Sequence, residues 1–85
     1  MIVTLDIPEY NAHHGIKLSW ENNFQIMVKN ESNEVIIVAN KEGLISLAQQ
    51  LLTLAQTEVP SGCHIHYDEN NSLEDGSVGL IIQKS

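Results

Sequence analysis

At 85 residues the chain has room for one domain with a thin core, burying roughly 60–65% of the surface its unfolded form exposes. Eleven acidic residues against four lysines, with no arginine, give a formal net charge of −7. That balance repels phosphate backbones and argues against nucleic-acid binding; it suits a basic protein partner, or simply keeps a small protein in solution. Cys63 is the only cysteine, so an internal disulfide is excluded, and no apolar run approaches the ~20 residues that span a bilayer.

The opening Met1-Ile-Val-Thr-Leu-Asp reaches an acid at position six without a basic stretch before it, and reads as a strand rather than a signal peptide. The expected location is the cytoplasm, with no membrane partner. Pro8 ends this first strand, and Tyr10 to His14 form a loop. Ile16, Leu18 and Trp20 then alternate with Lys17 and Ser19, the period of a half-buried strand. Glu21-Asn22-Asn23 turns the chain into Phe24, Ile26 and Val28, which predicts an antiparallel hairpin. A second turn at Asn30-Glu31-Ser32-Asn33 leads to Val35-Ile-Ile-Val-Ala39, a β-branched run expected to form a central strand covered on both faces.

Asn40 is placed to cap a helix over residues 41–57. Leu44, Leu47, Ala48, Leu51, Leu54 and Ala55 keep the i, i+3, i+4, i+7 spacing of a core-facing stripe, widened by Ile45 and Leu52. Gly43 weakens the first turn by about 1 kcal/mol relative to alanine unless a neighbour packs closely there. After Pro60-Ser-Gly62, residues 63–68 read as a strand, 69–76 as a polar loop and 78–83 as a last strand. The expected architecture is a single α+β domain over residues 1–85. It has about six largely antiparallel strands and one α-helix on one face, in the order ββββαββ.

The segment Cys63-His-Ile-His-Tyr-Asp-Glu69 is the most distinctive. Alternation puts His64, His66 and Asp68 on one strand face and Cys63, Ile65 and Tyr67 on the other, under the helix. Two imidazoles roughly 6.6–7 Å apart along a strand can converge on one zinc. Asp68 lies too far along to join His64, so a third ligand would have to come from elsewhere, such as His13 or His14. A lone His-x-His is a weak metal signal, and no metal or cofactor is expected. Cys63 and His64 point to opposite faces, which removes a thiol–imidazole pair, and no nucleophile elbow or phosphate loop is present; no catalytic residue is assigned.

Asp68, Glu69, Glu74 and Asp75 place four acids within eight positions. Calcium is disfavoured because Leu73 stands where the loop of an EF-hand needs glycine. The bland reading is a solvated loop; the functional one is an acidic lure that speeds association with a basic partner. Among the aromatics, Phe24 and Tyr67 are expected inward, and Trp20 is the candidate for a partly exposed anchor.

Asn40-Lys-Glu-Gly-Leu, Leu47-Ala-Gln-Gln-Leu-Leu-Thr-Leu-Ala, Val59-Pro-Ser-Gly-Cys-His-Ile-His-Tyr-Asp and Leu73-Glu-Asp-Gly-Ser-Val-Gly-Leu-Ile-Ile together resemble small bacterial immunity proteins of polymorphic toxin systems, over residues 39–84. The resemblance implies a protein that neutralises a cognate toxin by binding it. The expected contact residues are His64, His66, Asp68, Glu69, Glu74 and Asp75, and the expected partner is a basic toxin domain. Two other readings stay open: a His64/His66 metal-binding protein or metal-dependent enzyme, and a homodimer or larger assembly joined through an open sheet face or edge strand.

Overall fold

The computed structural model describes all residues, 1–85. Its elements run β1 (Ile26–Glu31), β2 (Glu34–Ala39), α1 (Lys41–Leu54), β3 (His64–Tyr67) and β4 (Leu80–Gln83). The α+β class is as expected. The strands number four rather than six, and form two antiparallel pairs, β1–β2 and β3–β4.

Ser32 and Asn33 connect β1 to β2 with φ of +50° and +65°. Two successive left-handed residues make the turn whose twist matches a hairpin. The register pairs Ile26 with Ala39, Val28 with Ile37 and Glu31 with Glu34. Ile26 and Val28 are fully buried while Lys29 is exposed, so alternation in β1 works as the sequence implies. The outer edge of β1 is closed by the segment before β4, whose Glu74 and Val78 N–H groups donate to the carbonyls of Ile26 and Val28 at 2.8 and 2.9 Å. This joins the two hairpins.

β2 is not the central strand its composition suggested. Val35 is 62% and Val38 52% exposed, and no strand pairs with its outer edge. The strands that were to flank it are missing. Residues 1–10 form no ladder, and Ile2 and Val3 are exposed. Residues 16–20 are also without a ladder, although Ile16, Leu18 and Trp20 do pack against the core. β-propensity describes a side chain that suits a pleated surface; it does not supply a partner strand.

The partners of the N-terminal segment are α1 and Gln56, two residues beyond its end. Gln56 accepts from the Tyr10 N–H and donates to the Pro8 carbonyl, both at 2.9 Å. Gln50 donates to the Ser19 carbonyl at 3.0 Å, and the Ser46 hydroxyl accepts from the Glu21 N–H at 2.8 Å. Backbone groups that would have sought a strand are thus satisfied by side chains, as burial requires.

These bonds set the roll of α1. Its buried positions are Gly43, Ser46, Leu47, Gln49, Gln50, Thr53 and Leu54, whereas Leu44, Leu51 and Leu52 are exposed. Of the expected apolar stripe only Leu47 and Leu54 are fully in the core. The Thr53 and Ser46 hydroxyls also donate to carbonyls one turn back, at Gln49 and Glu42; the Gln49 carboxamide oxygen alone is buried without a partner. The helix starts where expected, with the Asn40 side chain accepting from the Gly43 N–H at 2.8 Å. It stops at Leu54, three residues early, and the Lys84 ammonium donates to the Gln56 and Val59 carbonyls just beyond. A cation there completes a helix end that has no basic residue of its own.

In the second hairpin Ile65 faces Ile82 and Tyr67 faces Leu80, all turned inward. Trp20 is half-buried, so partly exposed as expected, and it also packs within the core: it stacks on Phe24 at 4.4 Å between ring centroids and meets the Tyr67 ring edge-on at 6.3 Å. The Tyr67 hydroxyl donates to the Gln50 carboxamide oxygen at 2.7 Å, and burial pushes its pKa up to about 12.

Two outcomes are expected. A methyl on Gly43 would lie 2.5 Å from the Gln25 carbonyl oxygen and 2.9 Å from the Ile26 side chain. Gly43→Ala therefore destabilises by about 1–3 kcal/mol in urea unfolding, although alanine is the better helix former. Tyr67 is neutral when folded at pH values where the unfolded chain, with an ordinary pKa of 10.0, has ionised it. Its contribution is intact below pH 10 and fades as pH rises from 10 towards 12, a loss of up to about 3 kcal/mol. In Tyr67→Phe that additional alkaline loss disappears, while stability at neutral pH falls by about 1–2 kcal/mol because Gln50 loses its donor.

Candidate functional site

Because Ile65 and Tyr67 are drawn under the helix, the alternate residues of β3 must face away. His64 and His66 are both exposed. Across the pair His64 stands opposite Gln83 and His66 opposite Ile81, which is 59% exposed. Cys63 is half-buried on the core side. The outward imidazoles and the inward-leaning thiol are arranged as alternation implied. Ile81 was not singled out as a site residue, although the same alternation, applied to Leu80-Ile-Ile-Gln83, turns it outward.

His66 Nε2 lies 3.9 Å from Asp68 Oδ2, a loose contact between water-exposed groups that adds little to stability. Its value is positional, because Asp68 begins the acidic loop. The Asp68 carbonyl accepts from the N–H groups of Asn71, Ser72 and Leu73, and its carboxylate accepts from Asn70 N–H at 2.9 Å. Asn71 ties the loop back to β3: its side-chain oxygen accepts from Asp68 N–H at 3.1 Å, and its amide donates to the His66 carbonyl at 3.3 Å. Glu69 spans the loop, one carboxylate oxygen accepting from Gly76 N–H at 3.0 Å. Leu73, buried to 6% exposure, pins the centre into the core.

Asp68 is half-buried and Glu69, Glu74 and Asp75 are exposed. The contacts bring His66 to Asp68 and fold Glu69 across to Gly76 beside Asp75, while Glu74 sits where the loop joins β1. The four acids thus stand on an ordered scaffold. Asn71, its hub, was legible only as a turn former. No group of three or more His, Cys, Asp or Glu is gathered closely enough to hold a metal ion, and His13 and His14 do not join His64 and His66 in such a group. No helix is long and apolar enough to cross a membrane.

The imidazole face is open to solvent and continued by an ordered acidic loop, and sequence comparison places the chain in a class, the immunity proteins of toxin systems. Residues 34–85, more than half of the chain, match the model of Immunity protein 32, and the chain belongs to that family. No curated protein and no solved structure matches it. The matched region begins at β2 and contains α1, the second hairpin and the whole acidic loop.

If Asn71 organises this loop, Asn71→Ala speeds amide exchange at Asp68, Ser72 and Leu73 by about tenfold, equivalent to roughly 1.4 kcal/mol of local stability. Exchange at Ile65 and Val28 stays unchanged; equal acceleration at all these sites would show a global effect instead.

Proposed function

We propose that this chain neutralises a cognate toxin by binding it directly, through the outer face of β3–β4 and the acidic loop. The observation that carries the reading is membership of an immunity family over a segment that contains every residue of that surface. His64, His66 and Ile81 form its less polar part, and Asp68, Glu69, Glu74 and Asp75 its charged part. The internal bonds of the loop support the proposal, since a surface already ordered loses less entropy on docking. The net charge of −7 supports a basic toxin domain, which such a surface would draw in from solution. In this reading the imidazoles act as aromatic and hydrogen-bonding contacts rather than as metal ligands, the chain blocks its partner instead of catalysing a reaction, and it acts in the cytoplasm. Self-association would use a different surface, the free edge of β2.

The test is kinetic. Co-expression should protect cells from the cognate toxin, and the purified pair should associate about tenfold more slowly with the Glu69→Lys, Glu74→Lys double variant at low salt. The difference should shrink above about 0.5 M salt, where charges are screened within a few ångströms. Ile81→Asp should act instead on dissociation. Association that is indifferent to both charge reversals at low salt would reject the acidic loop as the docking surface.

A further inference from the structure

We infer that β2 is a self-pairing edge: two copies of this chain join β2 to β2, antiparallel, about a two-fold axis beside Ile37. The backbone groups of β2 point alternately towards β1 and towards the open side. Asn40 N–H donates to the Gln25 carbonyl, so residues 34, 36 and 38, in step with it, bond to β1. Val35, Ile37 and Ala39 alternate with them and turn their N–H and C=O groups to the open side. The opposite edge confirms this phase, because Ile26 and Val28 point away from β2, towards Glu74, Ser77 and Val78. No hydrogen bond satisfies the outward groups of Val35 and Ile37, and β2 contains no proline, no bulge and no lysine to blunt its edge.

A strand edge of this kind is complementary to itself. With Ile37 opposite Ile37 of the second copy, Val35 lies opposite Ala39 of the second copy, and all three outward positions meet outward positions. Their side chains share the face that carries Ile26 and Val28, so Ile37 and Val35, 42% and 62% exposed, become covered. Charge agrees with the register. Glu34, the only charged residue of β2, comes opposite Asn40 of the second copy, next to that copy's exposed Lys41. A strand sliding by one pair would lose this contact.

Area points the same way. The chain exposes 5968 Å², whereas a folded monomer of 9.5 kDa exposes about 5,050 Å². The difference, about 900 Å², is close to the ~800 Å² each partner gives to a standard interface. Met1, Ile2 and Val3 hold part of it; of the eight other exposed large hydrophobic residues, Val35, Ile37 and Val38 lie on β2.

Light scattering on the eluting protein at about 100 µM, enough to populate a dimer of micromolar Kd, should give twice the 9.5 kDa chain mass. Ile37→Pro, which removes an outward N–H that β1 does not use, and Val35→Lys should each give the single-chain mass with an unchanged circular dichroism spectrum. Leu51→Lys, on the helix, should leave the dimer intact. Amide exchange at Val35 and Ile37 should be at least tenfold slower in the dimer than in folded Val35→Lys at the remaining one of the two positions. A single-chain mass for the unaltered protein would overturn the proposal. So would a dimer that survives both β2 variants, or one dissolved by Leu51→Lys, which would assign the contact to α1. Toxin binding is measured separately on the monomeric variant, so either proposal can fail without the other.

Discussion

Gln50 determines how the helix sits. In the last third of α1 and fully buried, its carboxamide donates to the Ser19 carbonyl and accepts from the Tyr67 hydroxyl. It therefore ties the helix to the ladder-free N-terminal segment on one side and to β3 on the other. A buried amide left unpaired costs more than a missing contact, so the helix turns Gln50 inward, and Ser46 and Thr53 follow on the same face. The leucines at 44, 51 and 52 are carried outward as a consequence. The orientation of α1 is set by polar bonds that have to be made rather than by the largest apolar area it could bury.

The same constraint separates what the sequence revealed from what it concealed. The start of α1 was legible because an Asn cap is a local signal, and the two faces of β3 were legible because alternation is local as well. A turn at residues 30–33 was legible for the same reason, although only Ser32 and Asn33 make it, and the hairpin read around Glu21-Asn22-Asn23 does not form. The roll of α1 was not legible, because apolar periodicity counts leucines and cannot see that Ser19 and Tyr67 will require a glutamine. Nor was the fate of residues 2–7 and 16–20, since strand character depends on a partner far along the chain. On the candidate surface, the outward direction of His64 and His66 could be read from alternation alone. The role of Asn71 could not, because it consists of bonds to Asp68 and His66 that exist only once the loop closes.

Membership of the Immunity protein 32 family gives the uneven surface a context. The helix is nearly free of charge beyond its first turn, with Lys41 and Glu42 its only charged residues, while four acids are concentrated on the loop between the strands of the second hairpin. Asn71 and Leu73 brace the loop that carries these acids, an order that the proposed docking would use. Bracing fixes the direction of the local field, and a fixed field discriminates among partners as well as attracting them.

The two proposed contacts use different parts of the molecule. The imidazole face belongs to β3–β4, turned away from the core, whereas the free edge belongs to β2, with β1 lying between it and the acidic loop that closes the far side of β1. Pairing β2 with its copy extends one sheet sideways and leaves each His64–His66 face uncovered. A self-paired form would then present two equivalent toxin surfaces, and a toxin bound at one would not occupy the strand edge that holds the copies together. The stoichiometry this implies is one toxin per chain in either state.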